Sequence, residues 1–77
     1  MRVLVIEPHK KPYTQEVEHT LENLQGIVGG LIEPIYLDDV AIVVNEEGKI
    51  NGLPFNRALR DENRRILDLL FGTFFIC

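Results

Sequence analysis

Apolar and polar positions along the chain predict several short strands and one main helix. Arg2 to Glu7 contains four consecutive apolar, β-favouring residues and ends at Pro8, so we predict a strand. Because this run is apolar on both faces, we place it centrally in a sheet. Tyr13 to Glu18 alternates with a period of two, which is typical of a half-buried strand and favours a hairpin with the first.

A helix is predicted to begin after Thr20. This residue suits an N-cap, and Leu21, Leu24 and Val28 follow at helical spacing. Gly29-Gly30 ends the helix, because glycine adopts the left-handed conformation at little cost.

The middle of the chain predicts two further strands. Leu31 to Leu37 contains Pro34, which cannot donate to a strand ladder, so we expect an edge strand or a bulge. Asp38-Asp39 is a turn, and Val40 to Asn45 is a buried strand. Glu46 to Lys49 then predicts a hairpin turn with Gly48 at positive φ.

The last third predicts a short helix followed by a strand. Ile50 to Leu53 is a short return segment, and Pro54 suits the first position of a helix that runs to about Asp61. Ile66 to Ile76 is a mostly apolar strand, kinked or bulged at Gly72. Residues 1–77 therefore form a single small α+β domain in the order β-β-α-β-β-α-β, with a mostly antiparallel sheet and one main helix packed on it.

Composition narrows the class of protein. A chain of 77 residues forms one domain with a limited core, so we expect a homo-oligomer. The net charge of −4 argues against nonspecific nucleic-acid binding, and the longest apolar runs are too short to span a membrane. One cysteine and the lack of a signal peptide at the N-terminus predict a cytoplasmic location.

An anion site is the first candidate for function. On a helix beginning near Pro54, Arg57, Arg60 and Arg64 would share one face, and the free N–H groups of the first turn would favour a phosphate. The alternative is a solvated helix whose arginines pair with nearby carboxylates. The candidate ligand-binding residues are Asn51, Gly52, Asn56, Arg57, Arg60 and Arg64.

A basic loop is the second candidate. Lys11 and its neighbours His9 and Lys10 precede Tyr13, and such a loop beside an aromatic ring can clamp a nucleotide. The alternative is a loop that is simply solvated.

Catalysis and metal binding are not expected. The chain has no serine nucleophile, and His9, His19 and Cys77 do not have the spacing of a zinc site. We therefore assign no catalytic residue, no metal ligand and no cofactor.

The apolar segment from Leu69 to Ile76 is a candidate subunit interface, with a core strand as the alternative. The residues proposed for this interface are Tyr36, Phe71, Phe74 and Phe75.

Three segments carry a resemblance to a known family. They are the opening Met1-Arg2-Val3-Leu4-Val5-Ile6-Glu7-Pro8, the stretch from Asn45 to Glu62 (Asn-Glu-Glu-Gly-Lys-Ile-Asn-Gly-Leu-Pro-Phe-Asn-Arg-Ala-Leu-Arg-Asp-Glu), and the closing Gly72-Thr73-Phe74-Phe75-Ile76. Together they resemble an uncharacterised family of small phage, plasmid and mobile-element proteins, the domain of unknown function numbered 3846. The resemblance implies a mobile-element origin and no established activity. The chain differs from relatives in ending at Cys77 and in having Arg64-Arg65 at a turn where relatives tend to have glycine.

Two hypotheses of function follow. The first is a homo-oligomeric anti-defence protein that sequesters an anionic, nucleotide-type immune signal without catalysis. The alternative is a protein-interaction module that binds and inhibits a host defence protein through the edge strand near Leu31 to Leu37 or through the aromatic tail, the apolar segment from Leu69 to Ile76.

Overall fold

A five-stranded antiparallel sheet carries one helix on one face and a two-stranded hairpin on the other. The computed structural model describes all residues from 1 to 77. The elements are β1 (Arg2–Ile6), β2 (Tyr13–Glu16), α1 (Leu21–Val28), β3 (Ile32–Leu37), β4 (Val40–Asn45), β5 (Phe55–Arg60), β6 (Ile66–Phe71) and β7 (Phe74–Ile76). The α+β class and the mostly antiparallel sheet with one packed helix are confirmed.

The order of the five strands is β2-β1-β7-β4-β3. Val5 in β1 and Val43 in β4 both pair with Phe75 in β7, so these three side chains lie on one face of the sheet. The placement of β1 inside the sheet and of β3, with Pro34, at its edge confirms both predictions.

The helix covers the face of the sheet that carries Phe75, which we call the helix face. The Thr20 hydroxyl accepts a hydrogen bond from the Asn23 N–H at 3.2 Å, and Gly29 ends the helix with φ of 79°. Leu24 and Val28 are the buried side chains of α1. They pack on Val3, Val5, Val43 and Phe75.

The opposite face, which we call the hairpin face, is covered by β5 and β6. Ile6, Ile42, Val44 and Phe74 pack there against Leu70 of β6. This second apolar layer fixes one side of the hairpin against the sheet.

The predicted helix from Pro54 to Asp61 is wrong, because this segment is β5. It pairs antiparallel with β6, so Ala58 lies opposite Leu69 and Leu59 lies opposite Asp68. Hydrogen bonding to the partner strand of the hairpin and packing against the five-stranded sheet override the local helical pattern here.

The connection from β4 to β5 also differs from the prediction. Residues 46–52 form turns, so the predicted return segment from Ile50 to Leu53 is wrong. Positive φ occurs at Gly52 (68°) and not at Gly48. Gly48 instead lies so close to the Phe71 carbonyl oxygen that an added Cβ would approach it to 2.8 Å.

The break predicted at Gly72 is confirmed. This glycine has φ of 79° and separates β6 on the hairpin from β7 in the sheet. No helix of the structure is long and apolar enough to cross a membrane.

Candidate functional site

The arginines predicted to share one helical face lie at two ends of the hairpin. Arg57 donates through Nη1 to the Asn56 carbonyl at 3.1 Å and through Nη2 to the Lys10 carbonyl at 3.2 Å. The structure therefore brings Arg57 to the basic loop that contains Lys10 and Lys11, although the two segments are far apart in sequence.

Arg60 and Arg64 lie at the other end, beside the turn from β5 to β6. Arg60 Nη1 donates to the Arg64 carbonyl oxygen at 2.9 Å, and Arg64 has φ of 64°. None of Arg57, Arg60, Arg64 and Arg65 has a carboxylate partner within 4.0 Å. Because no arginine lines any of the three main cavities, the shared anion pocket predicted for these side chains does not form within one chain.

The other residues of the predicted anion site are largely occupied by structural bonds. Asn56 is buried, and its amide nitrogen donates to the carbonyl oxygens of Ile6 and Gly72, each at 2.8 Å. The Asn51 N–H donates to Glu47 and the Gly52 N–H to Lys49 within the turns. The expected site at a helix N-terminus is wrong because no helix begins at this point.

The four residues proposed for a subunit interface divide into two pairs. Phe74 and Phe75 are buried inside the chain, which excludes them from an interface. Tyr36 is 74% exposed, and Phe71 is half-buried against Phe55 with ring centroids 5.7 Å apart in an edge-to-face arrangement.

The largest cavity is a groove on the helix face, with a volume of about 540 Å³. It forms because α1 packs over β7, β4 and β3 and leaves the β1–β2 side of the sheet less covered. All four residues of β2 are exposed, and β2 is an edge strand. The groove therefore lies beside a strand whose outer edge has no hydrogen-bonding partner strand.

The groove is acidic. Its lining includes Glu7, Glu16 and Glu18 together with the apolar side chains of Val17 and Ile27, and it includes no lysine or arginine. We call this cavity the acidic groove. Its negative charge favours positively charged ligands and disfavours anions.

Hydrogen bonds and ion pairs order the rim of the acidic groove. The Tyr13 hydroxyl donates to Glu7 at 2.7 Å, and this bond, with a smaller contribution from burial, raises the pKa of Tyr13. Lys10 lies 3.6 Å from Glu7, and Arg2 lies 3.3 Å from Glu16. Exposed pairs of this kind contribute about 0–1 kcal/mol each, so a ligand can replace them at low cost.

Sequence reasoning missed the acidic groove, although it placed Tyr13 correctly on a strand. The available signal was the cluster of glutamates between residues 7 and 22. The glutamates of the groove do not form a metal site, since no group of three or more histidine, cysteine, aspartate or glutamate side chains comes together.

Comparison with known proteins identifies a family but no relative of known activity. Neither the comparison with curated proteins nor the comparison with solved structures finds a match. The family model described as "Domain of unknown function (DUF3846)" matches residues 1–77, and the chain therefore belongs to this family.

Proposed function

We propose that the protein is a non-enzymatic interaction module that binds an extended, basic segment of a partner protein in the acidic groove. The observation that carries this proposal is the position of the groove, which combines three glutamates with the free edge of β2. This proposal moves the binding surface from β3 and the aromatic tail, where sequence reasoning placed it, to the opposite edge of the sheet.

Strand addition accounts for the affinity. The outer edge of β2 presents backbone N–H and C=O groups that an incoming strand pairs with, independently of its sequence. Alternate side chains of the added strand then point toward the acidic groove.

Charge and apolar contact account for the specificity. Lysine or arginine side chains of the partner pair with Glu7 and Glu18, while apolar side chains contact Val17 and Ile27 of the lining. An anionic nucleotide would meet like charge at this site, so the largest cavity does not support capture of such a signal.

The resemblance to mobile-element proteins supports the biological setting that we propose. We propose that the partner is a host protein, including a defence protein, and that binding at β2 inhibits it stoichiometrically. No bond is made or broken in this process.

Titration with a labelled peptide of alternating lysine and valine tests the proposal. We expect saturable binding with chemical shift changes at the backbone amides of residues 13–18. The double variant Glu7→Lys/Glu18→Lys should weaken binding by at least about tenfold. Glu33→Lys is the matched control, because Glu33 is an exposed glutamate on the other edge strand.

A backbone N-methylated form of the same peptide separates strand addition from general attraction between charges. We expect it to bind far more weakly, since it cannot donate to the β2 edge. Equal binding of both peptides, or equal weakening by Glu33→Lys, would contradict the proposed mode.

One observation favours a second candidate, capture of an anionic ligand by the hairpin. Four of the five arginines lie between residues 57 and 65 and have no carboxylate partner. If they bind phosphates across a subunit boundary, cyclic nucleotides should raise the melting temperature, and Arg57→Gln with Arg64→Gln should remove this shift. Absence of a shift across a panel of nucleotides would exclude this candidate.

A further inference from the structure

The side of the β5–β6 hairpin that faces away from the sheet is apolar. Leu70 of β6 packs on the sheet, so its neighbours Leu69 and Phe71 point to the opposite side. Strand pairing places Ala58 beside Leu69 and Phe55 beside Phe71 on that same side. We call the set Phe55, Ala58, Leu67, Leu69 and Phe71 the outer hairpin face.

The outer hairpin face is too exposed to belong to the core. Leu67 is 53% exposed, Phe55 is 45% exposed and Leu69 is 39% exposed. Several large apolar side chains exposed together on a small domain typically mark an interaction site.

The two ends of the hairpin carry opposite uncompensated charges. At the tip, Arg64 and Arg65 are exposed without a carboxylate partner. At the base, Glu46 and Glu47 are exposed without a cationic partner. The tip also contains Glu62, while Asp61 accepts the backbone N–H groups of Asn63 and Arg65 and so holds the turn.

A small cavity of mixed lining lies at the base of the hairpin. It has a volume of about 180 Å³, its apolar lining includes Ile50, Leu69 and Phe71, and its polar lining includes Glu46 and the Lys49–Asp68 ion pair. Ile50 is 83% exposed, and the cavity shares Leu69 and Phe71 with the outer hairpin face, so the two surfaces adjoin.

We propose that the outer hairpin face binds a second copy of this chain in a two-fold symmetric dimer. In an antiparallel arrangement, the basic tip of each hairpin lies on the acidic base of the other. The axis passes near Ala58 and Leu69, where the small Ala58 leaves space for the Leu69 of the second copy. Leu67 of each copy enters the cavity at the base of the other.

Self-complementarity identifies the occupant as a second copy. An isologous interface needs one surface that carries both members of each complementary pair, and the hairpin carries Arg64 and Arg65 together with Glu46 and Glu47. A stable dimer buries about 800 Å² per chain. The interface must therefore include the charged tip and base of the hairpin as well as its apolar centre. The helix face lies on the other side of the sheet, so the acidic groove stays open in this dimer.

Sedimentation equilibrium and light scattering test the dimer directly. We expect the wild type to have twice the chain mass of 8.8 kDa. Leu67→Asp should raise the dimer dissociation constant by at least about tenfold. Leu21→Asp is the control, since Leu21 is a leucine of comparable exposure at the start of α1.

Charge exchange tests the tip-to-base arrangement. Arg64→Glu/Arg65→Glu and Glu46→Lys/Glu47→Lys should each weaken the dimer, and the combination of all four should restore it. Failure of restoration would contradict this geometry. A wild type that remains 8.8 kDa at its highest attainable concentration would overturn the proposal.

Disulfide trapping provides a measurement that does not depend on a disruptive variant. Ala58→Cys in a Cys77→Ser background should form a covalent dimer on oxidation, because residue 58 lies near the two-fold axis. Leu21→Cys in the same background should remain monomeric under those conditions. Equal trapping of the two variants would indicate random collision and would refute the dimer.

Discussion

The side-chain amide of Asn56 donates to the carbonyl oxygen of Gly72 at 2.8 Å and so closes the base of the β5–β6 hairpin. The same nitrogen donates to Ile6 of β1, also at 2.8 Å, which ties the hairpin to the sheet. One buried amide therefore connects three segments that are distant in sequence.

Asn56→Ala should destabilise the fold by about 2–4 kcal/mol, because it leaves two buried carbonyl oxygens without their donor. Urea denaturation followed by circular dichroism measures this loss. Asn63→Ala at the exposed tip is the matched control, and we expect a change within about 0.5 kcal/mol. Similar losses for both variants would contradict the structural role of Asn56.

Two glycines should respond in opposite directions to substitution by alanine. At Gly72, φ is 79° and an added Cβ would lie 2.6 Å from Leu53 Cδ1, so Gly72→Ala should cost about 1–3 kcal/mol. At Gly26 in α1, nothing lies within 4 Å of an added Cβ. Gly26→Ala should therefore stabilise the fold by about 0.5–1 kcal/mol through helix propensity. Thermal denaturation distinguishes the two signs, and a stabilising Gly72→Ala would contradict the left-handed backbone conformation of this glycine.

Phe75 and Tyr36, both proposed from the sequence as interface residues, should differ sharply in their effect on stability. Phe75 is 0% exposed, and Phe75→Ala should cost about 3–5 kcal/mol, a large share of the stability of a domain this small. Tyr36→Ala removes a side chain exposed on an edge strand and should change the unfolding free energy by less than about 0.5 kcal/mol. Denaturant unfolding checks both, and a large loss for Tyr36→Ala at low protein concentration would contradict its exposure.

Asp68 should make a small, pH-dependent contribution to stability. Its hydrogen bond from Lys49 at 2.7 Å lowers the pKa of Asp68 below the ordinary value of 3.8, while partial burial opposes this effect. A carboxyl group whose pKa is lower in the folded state stabilises the fold above its unfolded pKa, and this contribution disappears as pH falls through the folded pKa. Because the pair is exposed, Lys49→Gln should cost less than about 1 kcal/mol at pH 7.

Unfolding of the wild type and of Lys49→Gln at neutral and acidic pH measures that contribution. The difference between the two should vanish as pH falls below the pKa of Asp68. A difference that persists at the most acidic pH would show that Lys49 acts through packing and not through charge.

Tyr13 should titrate above its ordinary pKa of 10.0, because its hydroxyl donates to the Glu7 carboxylate. The pH dependence of its contribution to stability has the opposite sign to that of Asp68. This bond stabilises the fold below the unfolded pKa and is lost as pH rises through the folded pKa. Glu7→Gln should bring the pKa of Tyr13 down toward 10, as measured by absorbance in a Tyr36→Phe background. An unchanged pKa would contradict the bond.

The local sequence pattern correctly predicted the features that depend on near neighbours in sequence. The N-cap at Thr20, the stop at Gly29, the apolar strand from Val40 to Asn45 and the break at Gly72 all appear in the structure. In each case a short-range effect, such as a side-chain cap or the φ preference of glycine, decides the conformation.

The positions of the arginines depended on residues outside their own segment. A spacing of three places Arg57 and Arg60 on one side of a helix, but it does not do so on a strand, where side chains alternate. Pairing with β6 selected the strand, because it buries Leu70 and Leu59 against the sheet. The sequence of residues 54–61 by itself does not predict that pairing.

By itself, the sequence determined most of the strands, the helix and its caps, and the acidic balance of the chain. Only the tertiary structure decided which edge of the sheet is free, which glutamates line the acidic groove, and which aromatic residues are buried. The physical reason is that secondary structure follows contacts between near neighbours, whereas a binding surface is defined by side chains that only long-range packing brings together or leaves uncovered.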